Sequence, residues 1–212
     1  LKPNDMKYVI IGGVAGGATT ATRLRRLDEQ SDIILFERGA HISYANCGLP
    51  YYIGGVITER DNLLIQTPSS FGTRFNIDVR IHSEVTAINP KEKTVTVKNA
   101  LTDATYVESY DKLVLSPGAE PIKPALPGVN LEGIFTLRNV TDTDTIKRYI
   151  DQHNPRHAVV VGAGFIGLEM AENLHKAGLK VTLIEMAEQV MTPLDYSMAA
   201  LVHQHLKTKQ VE

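Results

Sequence analysis

Lys7-Tyr8-Val9-Ile10-Ile11 runs into Gly12-Gly13-Val14-Ala15-Gly16-Gly17, and the pattern returns where His157–Val161 leads into Gly162-Ala163-Gly164-Phe165-Ile166-Gly167. Each glycine turn is followed by a helical stretch, to about Asp28 in the first copy and about Lys176 in the second. A second apolar run then ends in an acid, Asp32–Glu37 in one copy and Lys180–Glu185 in the other. Strand, glycine turn, helix and a strand closed by an acid make up the dinucleotide-binding βαβ pattern. The chemistry follows from the backbone: N–H groups at the start of a helix hold a pyrophosphate, and the terminal acid accepts hydrogen bonds from ribose hydroxyls. The second copy has all three glycines, whereas Val14 stands at the middle glycine position of the first. Glu185 favours the free 2′-hydroxyl of NADH over the 2′-phosphate of NADPH, because two anions at contact distance repel.

Between the two copies lies Ser43-Tyr44-Ala45-Asn46-Cys47-Gly48-Leu49-Pro50-Tyr51, with the only cysteine of the chain. A lone cysteine is commonly a small buried hydrophobe. Set between two nucleotide-binding turns, it also fits an electron relay that ends on sulfur. Thr67–Phe75 reads as a short capped helix with Pro68 in its first turn. Alternating segments at Val79–Asn89 and Thr94–Asn99, then Lys112–Ser116, suggest an antiparallel insertion and a return to the first sheet. That return strand ends in Ser116-Pro117-Gly118-Ala119, either an ordinary turn or a place where glycine lets a ligand approach the backbone. Pro121, Pro124 and Pro127 mark a connector over 121–130, followed by a helix at Asp142–Asp151 and a last one at Tyr196–Lys207. The expected fold is α/β, with two Rossmann-like three-layer units, the first carrying an antiparallel β insertion. The second is truncated, because the chain stops at Glu212 before a doubly wound lobe would be complete.

Composition narrows the classes. With 22 basic and 24 acidic residues, a net charge of -2 and 43% hydrophobic residues, no nucleic-acid or membrane partner is implied. One cysteine forms no internal disulfide, no apolar run reaches membrane-spanning length, and no signal-peptide pattern or metal site is read. The cytoplasm is the default compartment. Met6 reads as the natural start, with Leu1–Asp5 a remnant ahead of it.

Two nucleotide patterns flanking a redox thiol resemble the flavoprotein pyridine nucleotide-disulfide oxidoreductases over essentially the whole chain. GGVAGGATTATRLRRL together with SYANCGLPYYIGG is similar to the branch that reduces coenzyme A disulfide, persulfides and polysulfides. Members related to glutathione reductase carry a cysteine pair here, and Cys47 has no second cysteine. NADH oxidases and peroxidases also use a single cysteine but commonly place a histidine where this chain has Ala15; Val14 is similar to the coenzyme A branch.

The resemblance implies an FAD-binding domain over 1–125 and an incomplete NAD(H)-binding domain over 126–212. Gly12, Val14, Ala15, Gly16, Gly17, Glu37 and Arg38 would hold FAD, bordered by Asn46, Cys47, Val85, Ser116, Pro117, Gly118 and Ala119. NADH would be held by Gly162, Gly164, Phe165, Ile166, Gly167 and Glu185. Coenzyme A, as bound substrate, would meet Thr19, Arg23 and Arg26 on the first helix, Ser43 and Asn46 beside the thiol, and Arg74; Phe75 stands where some relatives have lysine. Arginines on a helix face are commonly just solvated, yet guanidinium forks suit phosphoryl groups. Cys47 would be the catalytic thiolate, its mixed disulfide with coenzyme A resolved by the next electron pair rather than by a second thiol. A helix opening from Gly48 would favour that thiolate through its dipole, and His41 is either a proton donor or a structural residue. Relatives are usually homodimers. Two other readings remain: an NADH oxidase or peroxidase cycling Cys47 through a sulfenic acid, and a non-catalytic nucleotide-binding redox sensor.

Overall fold

The computed structural model describes residues 6–212; the reading of Met6 as the start concerns Leu1–Asp5, which lie outside the described residues. In chain order the elements begin β1 (Lys7–Ile11), α1 (Ala15–Leu27), β2 (Asp32–Phe36), α2 (Leu49–Ile53), α3 (Pro68–Phe75), β3 (Asp78–Arg80), β4 (Ser83–Asn89) and β5 (Thr94–Asn99). They continue with β6 (Thr105–Ser109), β7 (Lys112–Leu115), α4 (Val140–His153), β8 (His157–Val161), α5 (Phe165–Lys176), β9 (Lys180–Ile184) and α6 (Tyr196–Thr208). They form two units: the chain up to Tyr44 with Leu64–Glu120, and Ala45–Leu63 with Pro121–Glu212.

In the first unit, β3-β2-β1-β7 form one sheet in which every pair is parallel. Its two central strands are apolar at nearly every position because both faces are covered. Ile10, Ile33 and Leu35 pack against Ala18 and Ala21 of α1 and Phe71 of α3. Side chains alternate across a strand, so Val9, Ile34 and Phe36 point the other way, onto Val95 and Val97 of β5. β5 is the middle of the antiparallel sheet β4-β5-β6. Helices, parallel sheet and antiparallel insertion thus make three layers.

The insertion departs from expectation in two places. Val79–Asn89 is split by His82, whose φ of 52° is left-handed; β3 before it pairs with β2, and β4 after it joins the other sheet. Thr105–Ser109 is an additional strand, β6, whose apolar Val107 is 64% exposed and therefore carries no burial pattern in the sequence. An ion-pair network ties this strand back: Glu108 accepts from Lys7 Nζ at 2.5 Å and from Arg80 at 2.6 Å. Burial opposes the Glu108 charge, but these two cations hold its pKa below the usual carboxylate value.

In the second unit, β8 and β9 pair in parallel. Val181, Leu174, Met170 and Ala171 form a core with Ile146 of α4 and Ile53 of α2, while Val159, Val161 and Ile184 on the opposite face are exposed. α4 is longer than the expected Asp142–Asp151 because a capping box between Asn139 and Asp142 starts it earlier. The chain changes unit at Glu120/Pro121. Ala45–Leu63 groups instead with the later residues, since Ile53 is fully buried in their core. No helix among the described residues is long and apolar enough to cross a membrane, and no cluster of metal-ligating side chains occurs among them.

Candidate functional site

The first glycine turn is fixed by backbone contact. Gly12 has a φ of 97°, its N–H donates to the Phe36 carbonyl at 2.8 Å, and a Cβ there would collide with the Ser116 carbonyl oxygen. A Cβ on Gly17 would fall on the Gly12 carbonyl oxygen, so only glycine lets α1 start this close to β1. Gly16 faces the Ser116 hydroxyl, where a Cβ would stand 3.2 Å away. Glu37 accepts from Gly13 N–H through one oxygen and from Gly39 N–H through the other, both at 2.8 Å. The acid expected to read a ribose thus also clamps the turn itself; a carboxylate has about four acceptor directions, leaving two for hydroxyls. Arg38 is ion-paired with Glu120. Pro117, Gly118 and Ala119 are exposed, and Val85 is half-buried at a bulge in β4, packed against the insertion core.

The second turn repeats this geometry. Gly162 has a φ of 102° and donates to the Ile184 carbonyl at 2.8 Å, and a Cβ on Gly167 would fall on the Gly162 carbonyl oxygen. Glu185 accepts from Ala163 N–H at 2.7 Å and Ala187 N–H at 2.9 Å. The Ala187 and then the Ala163 bond hold its carboxyl below the usual glutamate range. Phe165 and Ile166 are exposed at the start of α5.

Among the described residues, side-chain caps are present at the starts of α3 and α4 and absent at those of α1, α2, α5 and α6. α3 and α4 close their own N-termini with capping boxes, Thr67 with Ser70 and Asn139 with Asp142. α1 and α5, which start at the glycine turns, have no side-chain cap among the described residues. Their first N–H groups have no intrahelical partner and suit an anion. Both turns therefore fit the pyrophosphate of a dinucleotide.

Cys47 is exposed and belongs to the second unit. It sits in a 3-10 turn, Asn46–Gly48, that runs into the five-residue α2. A helix this short supplies only a small dipole to a thiolate. Around the thiol the chain folds on itself: Ala45 N–H donates to Leu63 at 2.8 Å, and a Cβ on Gly48 would lie 3.0 Å from Leu63 and 3.2 Å from Ile57. Asn46 beside it is exposed.

The remaining candidates lie on the first unit. Thr19, Arg23 and Arg26 are exposed at positions i, i+4 and i+7 of α1, hence on one face. Arg25 between them has a different job: it donates to the carbonyls of Phe75 and Asn76 at the end of α3 and of Asp28, Glu29 and Ser31 after α1, joining two helix ends. Arg74 is exposed on α3 above the Phe75 ring. Ser43 has a left-handed φ of 45°, and its N–H donates to Gly13 at 2.9 Å, binding it to the first glycine turn. Sequence reading missed that strained backbone and the double use of both glutamates; the glycine beside each acid's partner was the available signal.

A coenzyme A disulfide reductase of Staphylococcus haemolyticus is 46% identical over 205 residues, covering 97% of this chain and 46% of that protein. The chain thus spans about half the length of the curated relatives it matches. The crystal structure of reduced Bacillus anthracis CoADR-RHD is 60% identical with a TM-score of 0.97, covering 100% of this chain and 38% of that one. An NAD-dependent persulfide reductase from A. fulgidus is 39% identical with a TM-score of 0.93, covering 98% and 39%. The model of the pyridine nucleotide-disulphide oxidoreductase family matches residues 6–212, and the chain belongs to that family.

Proposed function

We propose that the chain is the FAD- and NADH-binding part of a reductase of coenzyme A disulfide, coenzyme A persulfide or polysulfide, with Cys47 as its reacting thiol. The carrying observation is an exposed, single Cys47 in a chain with two uncapped, glutamate-clamped glycine turns. The first turn, with Glu37 and the Ser116–Ala119 segment, would hold FAD; the second, with Glu185, would hold NADH. When bound, the flavin supplies a two-electron relay between NADH and sulfur. Thr19, Arg23, Arg26 and Arg74, exposed on the first unit, would hold the phosphoryl groups of coenzyme A.

The thiol chemistry balances without a second cysteine. Cys47 thiolate attacks one sulfur of coenzyme A disulfide, forming a Cys47–coenzyme A disulfide as the substrate S–S bond breaks and one coenzyme A thiolate leaves. Two electrons, drawn overall from NADH, then cleave the mixed disulfide and return Cys47 as thiolate. The sum is one disulfide, one NADH and one proton giving two coenzyme A thiols and NAD+. The resemblance extends to a cytoplasmic homodimer, which gel filtration of the whole protein tests.

Anaerobic turnover decides the matter. The whole protein should oxidise NADH with coenzyme A disulfide, persulfide or polysulfide, and Cys47→Ser should abolish this while keeping flavin. Reoxidation by peroxide or oxygen alone would replace this reading with the oxidase one.

A further inference from the structure

The segment bearing Cys47 has little to hold it by itself. It leaves the first unit at Tyr44 and returns at Leu64, residues joined by an isolated antiparallel bridge. Its helix α2 has five residues, too few to be stable without packing. Ile53 in the second unit's core supplies part of that packing, and two further attachments follow the thiol along the segment.

The first is a close approach of α2 to α5. A Cβ on Gly54 would stand 2.7 Å from both Cβ and the carbonyl oxygen of Asn173 and 2.8 Å from its Oδ1. Gly54 has a φ of -77°, open to any residue, so glycine is required here by contact and not by conformation. Asn173 is fully buried; its Nδ2 donates to the Glu169 carbonyl at 2.8 Å, and its Oδ1 has no hydrogen-bond partner among the described residues. A buried amide oxygen facing a glycine is a poor choice for core packing alone. The second attachment is a two-pronged ion pair: Arg60 Nε and its terminal nitrogen donate to Asp144 of α4 at 2.8 and 2.7 Å. The Asp144 hydrogen bond holds the Arg60 charge firmly on.

The structure assigns Asn173 and Asp144 as positioning residues for Cys47, seating the thiol segment on the unit that carries the second glycine turn. α5 starts at that turn and carries Asn173 further along the same helix. The placement of the thiol is therefore set from the helix that begins where the pyridine nucleotide is proposed to bind. The catalytic consequence rests on the reductase reading; the placement of the thiol does not.

The test uses the whole flavin-loaded protein and two variants, Gly54→Ala, which forces the segment off α5, and Asp144→Asn, which keeps shape but removes the charge. Cys47 is alkylated with iodoacetamide, and NADH turnover with coenzyme A disulfide is followed separately. Gly54→Ala should change the alkylation rate severalfold and lower kcat roughly 10- to 100-fold, the loss expected for a misplaced reacting group, with KM for NADH and flavin content unchanged. Asp144→Asn should shift both in the same direction but less, and Asp144→Glu should recover part of the loss. Wild-type alkylation rates in Asp144→Asn and in any folded Gly54→Ala would overturn the assignment. Shifted alkylation in a protein that reduces no sulfur substrate would uphold the positioning role and remove the reductase reading instead.

Discussion

The two glycine turns share one backbone plan and differ in what surrounds it. In both, a Cβ on the last glycine would fall on the carbonyl oxygen of the first, and a strand-end glutamate clamps the N–H of the second residue. At the first turn, the Ser116 carbonyl after β7 lies against Gly12. The middle position also differs. Gly164, with φ -79° and ψ -171°, is in the extended region open to any residue, and Val14, with φ -89° and ψ -135°, holds a less common backbone without needing a positive φ. Glycine is thus demanded where backbone touches backbone, and the middle position is free to vary in the fold; what it governs is how near a ligand comes. Val14 is therefore no defect in the first turn.

The largest break in this symmetry comes from adding a methyl group to the last glycine. Gly17→Ala and Gly167→Ala each drive a Cβ into a backbone carbonyl that has nowhere to go. Each should cost about 3 kcal/mol or more, at the upper end of overpacking. Urea unfolding reads the stability loss, and the two variants separate by ligand: the first should lose flavin, the second should keep flavin and lose reduction by NADH. Equal loss of flavin in both would show that the turns do not divide the cofactors.

The middle position should give a smaller effect that stability measurements miss. Gly164→Val copies the first turn into the second. Space around Gly164 is open among the described residues, so unfolding should shift by less than about 1 kcal/mol. NADH affinity should fall roughly tenfold as the side chain holds the pyrophosphate away from the helix start. Val14→Gly is the converse, with a cost of about 1 kcal/mol from added backbone freedom and little change in flavin retention. A folded Gly164→Val that binds NADH as tightly as the parent would separate the middle glycine from ligand approach.

How much of this was legible depends on the range of the interactions. β1, β2, β8 and β9 could be read because their burial pattern and glycine punctuation are local. The split of Val79–Asn89 could not, since it rests on one left-handed residue, His82, chosen by pairing with two different sheets. β6 was hidden because its apolar Val107 points to solvent. At the candidate site the glycines, both glutamates and Cys47 stand in local motifs. The seat of the thiol was invisible, because Gly54 with Asn173 and Arg60 with Asp144 meet only after the chain has passed through α4 and α5.

Glu185 carries the smallest effect and the one with a sign in pH. Its two backbone donors hold the folded carboxyl below the usual value of 4.5. As pH falls, the unfolded chain therefore takes up the proton first. The contribution of the clamp is complete above about pH 4.5 and is lost as pH drops through the lower folded value. Glu185→Gln keeps one acceptor oxygen for one of the two N–H groups and carries no titration, so it should flatten the fall in urea midpoint below pH 4.5. Parallel profiles for parent and variant would mean that Glu185 does not clamp its turn in solution. The same substitution removes the charge that disfavours a 2′-phosphate, so NADPH should gain on NADH as cofactor even at neutral pH, where the stability difference is small.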